Sequence, residues 1–313
     1  MSTDTSTKIV IGISSCLLGQ KVRFDGNHKE QRLITQQLAN RFNFVATCPE
    51  MAIGLGVPRT PIHLKGDEET QRLVNIRDAS IDVTDQLVAF AKKRAAELNS
   101  ISGYIFKKGS PSCGLLNVRI YKSNTQVLNT GTGLFAKEII KAHPLLPVEE
   151  EGRLNDPLLR DNFLQRVEIY HHWQQLVTTG IRKKSLLDFH TRHKYTLLAH
   201  CEVTYRTLGQ LLARAGKMDL QVLSDQYISA FMAGLKKPTT RGKQANVLEH
   251  LAGYFKHYLD GHDKSEFRQL ITAYRLGEMP REALLVMLKH YLRKFPNDYL
   301  QLQHYLHQGS MAS

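Results

Sequence analysis

One stretch constrains this chain more than any other. The apolar run Tyr104-Ile105-Phe106 passes directly into Lys107-Lys108-Gly109-Ser110-Pro111-Ser112-Cys113-Gly114-Leu115. Pro111 and the two flanking glycines forbid regular structure, so a buried strand must become a loop within two or three residues. Two hydroxyls and a thiol are then presented on a tight turn behind two lysines. The same arrangement occurs twice more. Val10-Ile11-Gly12-Ile13-Ser14-Ser15 runs into Cys16, and Phe44-Val45-Ala46-Thr47 runs into Cys48-Pro49-Glu50. Three cysteines thus sit just past three predicted strands. If those strands are parallel, their carboxyl ends share one edge, where open α/β sheets place ligands.

The surrounding pattern supports a parallel sheet. Strands are expected at 8–15, 43–47, 73–76, 103–107 and 117–121. Helical periodicity over 28–42 places Leu33, Ile34, Leu38 and Phe42 on one face. Further helices are expected over 82–98 and 134–142, and the glycine- and proline-punctuated segment 52–61 reads as a loop. Alternating strand and helix gives an α/β, Rossmann-like domain with a mainly parallel sheet over residues 1–150. Pro144 to Asn155, with Glu149-Glu150-Glu151, reads as a linker. Beyond it the periodicity is helical throughout: 157–177, 185–215, 219–235, 244–260, 264–276 and 281–295. Residues 151–313 are therefore expected to form an all-α domain. The small polar tail 309–313 is set aside.

No apolar run approaches the roughly eighteen residues of a membrane span, and Met1 to Thr7 lacks the apolar core of a signal peptide. The expectation is a cytoplasmic protein with no membrane and no obligate protein partner. Its four cysteines are then free, metal-bound or catalytic rather than disulfide-linked. The net charge is +13, divided as +5 up to residue 150 and +8 beyond it, where 11 of the 14 histidines also lie. A polyanion, nucleic acid first, is the natural partner. Candidate phosphate contacts are Arg182, Lys183 and Lys184; Arg192 and Lys194; and Lys236, Lys237, Arg241 and Lys243. Tyr195, Tyr205, Tyr254, Phe255 and Tyr258 can stack bases, although their helical spacing equally suits a core.

Thiolates suit zinc or an iron–sulfur cluster. Spacings of 32 and 65 residues, with no Cys-x-x-Cys pair, are unlike a zinc finger. Three Cys ligands on a four-iron cluster leave one iron open to substrate. Each Cys by itself is equally a small buried apolar residue; three at equivalent positions point to a shared site. Cys201 reads as a packed helix residue outside it. Glu50 can relay a proton or activate water. Ser110 and Ser112 can donate to a substrate, or only shape a Ser-Pro turn. Asp25 either serves a turn or enters the site. Thr130-Gly131-Thr132-Gly133 has the look of an anion-cradling loop at a helix start, with a plain turn as the alternative.

Cys16 with Arg23-Phe24-Asp25-Gly26, Cys48-Pro49-Glu50, and Ser110-Pro111-Ser112-Cys113-Gly114 together resemble the 2-thiouracil desulfidase family over roughly residues 8–145. The resemblance implies a 4Fe–4S cluster held by Cys16, Cys48 and Cys113, with an open fourth iron that takes a thiocarbonyl sulfur. It also implies catalytic roles for Glu50 and Ser110. The stretches 187–195 and 237–243 resemble a helical domain fused to many desulfidase relatives, a fusion similar to bacterial tRNA 4-thiouridine desulfidases. The expectation is hydrolytic, non-redox desulfidation of 4-thiouridine in tRNA, releasing hydrogen sulfide. Alternatives are a desulfidase of free thiouracil or thionucleosides, a non-catalytic iron–sulfur RNA-binding or redox-sensing protein, and a zinc or thiol enzyme.

Overall fold

A computed structural model describes residues 8–66, 70–122 and 126–307; the amino-terminal heptapeptide and the tail 309–313 lie outside them. The chain forms two compact units, one ending at His171 and the other beginning at His172.

The first unit is built on a parallel sheet of strands β1 (Ile9–Ser14), β2 (Phe42–Thr47), β5 (Tyr104–Phe106) and β8 (Val148–Glu150), in the order β2-β1-β5-β8. Strand β1 is central because Ile11 and Ile13 are fully buried, as are Tyr104, Ile105 and Phe106 beside them. The register pairs Ser14 with Thr47 and Ile13 with Ile105, so β1, β2 and β5 end level with one another. Gly12 is required where it stands, because a Cβ there would enter the ring of Tyr104. A second sheet, β4 (Arg72–Asn75), β3 (Ile62–Lys65), β6 (Val118–Tyr121) and β7 (Val127–Gly131), is mixed: β3 and β6 run parallel, and the outer pairs antiparallel. It is an addition to the expected mainly parallel sheet. Strand β3 begins immediately after the Pro58–Pro61 segment, which hid it. The helices α2 (Thr84–Glu97) and α3 (Leu134–Ala142) pack Leu87, Ala91, Phe135 and Ile139 into the same core as Tyr104 and Phe106.

Three expectations are corrected. The helix over 28–42 is only an irregular pair of turns, Leu33–Gln37 and Leu38–Asn40. Its leading residues are taken by long-range backbone bonds, Lys29 N–H to Cys16 C=O and Gln31 N–H to Leu17 C=O. The segment 144–155 is not an exposed linker, since Glu149, Glu150 and Glu151 are 6%, 2% and 5% exposed. Nor is the glycine pair at 131–133 an anion cradle. The α3 amides of Leu134, Phe135 and Ala136 instead bond to the carbonyls of Pro111 and Ser112, and Gly133 N–H bonds to Gly114 C=O at 2.8 Å. A helix end whose donors are already paired has none to offer an anion.

The second unit is helical. After the carboxyl-terminal part of α4 (Pro157–Thr178) come α5 (Lys183–His200), α6 (Glu202–Ala213), α7 (Leu220–Leu235), α8 (Arg241–Ala252), α9 (Gly261–Leu276), α10 (Arg281–Lys294) and two short turns, α11 (Asp298–Gln301) and α12 (His304–His307). Leu248, Leu251, Phe255, Leu284, Leu288 and Leu300 form its core. The expected helix 185–215 is two helices, because Cys201 is extended (φ −149°, ψ 98°) at their junction. No helix among the described residues is long and apolar enough to cross a membrane.

The docking of α3 generates a prediction. A Cβ on Gly133 would lie 2.5 Å from Ser112 C=O. Gly133→Ala should therefore lower unfolding free energy by about 1–3 kcal/mol in denaturant titrations. An unchanged midpoint would contradict the close approach.

Candidate active site: three thiols and a buried carboxyl pair

Each cysteine is placed by the end of a strand. Cys16 lies on the tight turn Ser15–Leu18 after β1, closed by Gly19 at φ 86°. Cys48 follows β2 and precedes α1 (Pro49–Ala52). Cys113 lies on the loop after β5. Cys16 and Cys113 are buried, Cys48 is half-buried, and all three are free of disulfides. They line one cavity of about 330 Å³ together with Glu50, Arg59 and Ser110.

The Cys113 loop is clamped from two sides. Its carbonyls accept from α3, as described above. Its amides are bound by the carboxylates of β8 and the residue after it. Glu150 Oε1 accepts from Leu115 N–H and Leu116 N–H at 3.0 and 3.1 Å, and Glu151 Oε2 from Lys108 N–H at 2.7 Å. Glu151 also pairs with Lys107, and Glu149 with Arg153 at 2.7 Å. Burying carboxylates is costly unless they are paired and hydrogen-bonded, and here they are. Ser110 Oγ accepts from the amides of Ser112 and Cys113 at 3.3 and 3.1 Å. A serine hydroxyl also carries one hydrogen to donate, and these bonds leave it available.

Glu50 is held at both oxygens. Ser112 Oγ donates to Oε1 at 2.9 Å. Arg59 donates to Oε2 through Nη2, and through Nε at 3.1 Å. Arg59 is itself anchored on the carbonyls of Gly56 (2.8 Å) and Val22 (3.0 Å). The Glu50 and Arg59 side chains are only 14% and 7% exposed, so their orientation is fixed within the cavity wall. Ser112 is fully buried behind Glu50 and does not line the cavity. Asp25 is exposed. Its carboxylate accepts from Asn27 N–H at 3.1 Å and faces Arg23 at 3.6 Å. It occupies the turn, while Arg23 and Phe24 reach the cavity. Sequence reasoning does not find Arg59; its only signal is a cation in the loop after Glu50. Nor does it find Glu150 and Glu151, because an acidic run resembles a solvated segment.

The thiols are chemically distinct from free cysteine. Burial pushes Cys16 up to about 11, and burial raises Cys48 and, further, Cys113. Each sulfur also feels its neighbours: Cys48 raises Cys16, and both raise Cys113. The three sulfurs are not all within 4.8 Å of one another. A single tetrahedral zinc with Zn–S bonds of ~2.3 Å would hold them roughly 3.8 Å apart. A cluster whose irons each take a different thiolate spreads its ligands more widely. The donor set, all thiol and set apart around a common cavity, fits a 4Fe–4S group better than a single ion. Lys107 and Arg23 at the wall act against burial and favour the Cys16 thiolate.

In the other unit, Cys201 lies beside Thr204 Oγ1 (3.2 Å) and Lys237 Nζ (3.7 Å). Burial opposes its ionisation, but the Thr204 bond and the Lys237 charge outweigh it and lower the thiol. Arg182, Lys183, Lys184, Arg192, Lys236, Lys237, Arg241 and Lys243 are exposed. Lys194 is half-buried over the Tyr195 and Tyr299 rings, at 5.5 and 4.9 Å. Lys243 Nζ donates to His200 C=O at 2.9 Å, so it helps to pin its own loop. Tyr195 and Phe255 are core residues, whereas Tyr258 is 61% exposed.

Residues 11–151 match the family model described as 2-thiouracil desulfurase, and residues 194–308 match one described as a protein of unknown function, DUF1722. The uncharacterized protein YbgA of Escherichia coli (strain K12) is 34% identical over 146 residues, 46% of this chain and 86% of YbgA. The uncharacterized protein YbbK of Bacillus subtilis (strain 168) is 35% identical over 157 residues, 48% of this chain and all of YbbK. A solved structure described as the 4Fe–4S-dependent thiouracil desulfidase TudS shares 30% identity, covering 48% of this chain and 95% of that one, with a TM-score of 0.37.

The raised thiol has a measurable consequence. In the metal-free protein, carboxymethylation of Cys16 should accelerate about tenfold per pH unit from neutral pH up towards about 11. The protonated form dominates below that point, so the rate rises with pH. A rate that levels off near neutrality would contradict the burial effect.

Proposed function

Because the chain belongs to the 2-thiouracil desulfurase family, we propose that it hydrolyses the thiocarbonyl of a thiolated uracil base, and that 4-thiouridine in tRNA is its substrate. The observation that carries this reading is the convergence of Cys16, Cys48 and Cys113 with Glu50 on one cavity. When bound, a 4Fe–4S cluster on the three thiolates would supply a Lewis-acidic iron free of protein ligands to receive the sulfur.

The protein's own groups do the rest. Hydrolysis exchanges the thiocarbonyl sulfur for a water oxygen and releases hydrogen sulfide, with no net transfer of electrons. Glu50 is the group placed to take the proton of the attacking water. Each carboxylate oxygen has two acceptor sites, so Oε1 retains one beyond the Ser112 bond. Arg59 and Ser112 are positioning residues that fix the carboxyl plane. Ser110 is available to donate to the base.

The helical unit supports a polyanionic substrate. The first turns of α5 and α8 carry no acidic residue; they begin instead with Lys183-Lys184 and Arg241 through Lys243. Cations at a helix amino terminus oppose the dipole, and an exposed cluster of them suits phosphate. A second reading, free thiouracil, is favoured by the cavity volume of about 330 Å³, which suits a single base at the small end of ligand pockets. Incubating anaerobically reconstituted protein with thiolated tRNA and, separately, with free 2-thiouracil, then quantifying nucleosides and bases, separates them. Faster turnover of tRNA supports the first reading; turnover of the free base alone overturns it.

Two outcomes follow. Glu50→Gln should keep its iron yet lose about 10²–10⁴ in turnover, as sulfide release would show; wild-type turnover would remove Glu50 from the mechanism. Replacing Lys183, Lys184 and Lys236 with alanine should flatten the dependence of log K for tRNA on log salt by about 0.7–0.9 for each phosphate that is no longer neutralised. Turnover of a free thionucleoside should not change. An unchanged salt slope would take these residues off the RNA path.

A further inference from the structure

The desulfidase reading leaves one buried constellation in the helical unit unused. His172 on α4, His193 in the middle of α5 and His304 at the start of α12 bring three imidazoles together. One nitrogen of each lies within 4.8 Å of the other two. The ring centroids are 4.9 Å apart for His193 and His304, 5.3 Å for His172 and His193, and 5.7 Å for His172 and His304. His193 is completely buried, and its Nδ1 has no hydrogen-bond partner.

We propose that His172, His193 and His304 form a zinc-binding site that fastens the carboxyl-terminal turn α12 to α4 and α5. The distance between His172 Nδ1 and His193 Nε2 is 3.4 Å. A tetrahedral zinc with Zn–N bonds of ~2.0–2.1 Å sets its nitrogens roughly 3.3–3.4 Å apart, so this pair already stands at ligand spacing. Three nitrogen donors with no thiolate or carboxylate among them suit zinc over calcium or magnesium. His172 and His304 are only partly buried, so a water can complete the fourth position.

The placement gives the site a purpose. A four-residue turn such as α12 has little helical stability of its own, and it is held otherwise by Tyr305 and Leu306, 1% exposed each. A metal bonded to His304 would join it to two long helices.

The test uses the full chain with Cys16, Cys48 and Cys113 all replaced by alanine, so that the thiol site cannot compete for metal. This protein is titrated with zinc by calorimetry and with cobalt(II) by visible absorption. The proposal expects one tightly bound equivalent and the strong ligand-field bands of a tetrahedral cobalt site. His172→Gln and His304→Gln, both at partly buried positions that tolerate an amide, should each weaken binding by at least the roughly 10–100-fold that loss of an outer-shell partner costs. They should also abolish the zinc-dependent rise in melting temperature. Absence of a stoichiometric site, or unchanged affinity in both variants, overturns the proposal. Binding retained in these variants would assign the metal elsewhere, for instance to the exposed His262, Asp263 and Glu266 group.

Discussion

The candidate site depends on how the Ser110–Leu116 loop is held. Its carbonyls accept from the first amides of α3, its Leu115 and Leu116 amides are bound by Glu150, and Glu151 binds the Lys108 amide just ahead of it. Both interactions satisfy groups that would otherwise be buried and unpaired, at a cost of about 1–3 kcal/mol each. The loop needs no regular structure of its own because its neighbours supply the hydrogen bonds that a helix or strand would. Cys113 is fixed by this clamp, and Ser112 within it aims a hydroxyl at Glu50.

The parallel register does the remaining assembly. With β1, β2 and β5 ending level, residues separated by dozens of positions in sequence meet at one edge. Cys16 and Cys48 arrive on short turns, and Arg59 returns from the following loop to lock the Glu50 carboxyl. Burial then raises the thiols, so they remain protonated until a metal displaces their protons, and metal binding is coupled to proton release. A rigid carboxyl beside a three-thiol set is the arrangement on which the proposed hydrolytic reading rests.

Much of this is legible in the sequence, for physical reasons. Tyr104-Ile105-Phe106 followed by Gly109 and Pro111 leaves few alternatives to a buried strand and an irregular loop, and the same holds at Cys16 and Cys48. The helices of the second unit follow apolar periodicity, which packing enforces. What escapes is what tertiary structure decides. Glu149, Glu150 and Glu151 carry the signature of solvated charge, and only the facing amides and cations make their burial tolerable. Leu33, Ile34 and Leu38 have helical spacing, but the backbone ahead of them is bound to the Cys16 turn. Cys201 lies within a helical pattern and breaks it, because His200 and the following residues are tied to the 237–243 loop. Among side chains, the histidine trio is spread over 172, 193 and 304, with no local signal to unite it.

The central claim is that Cys16, Cys48 and Cys113 together hold one iron–sulfur cluster. Iron and acid-labile sulfide should be measured in anaerobically purified protein and in the single alanine variants of these residues, with Cys201→Ala as the control. The account predicts about four irons and four sulfides per chain in the wild type and in Cys201→Ala, with a marked loss in each of the other three. Full iron and sulfide in any of those three variants would contradict it.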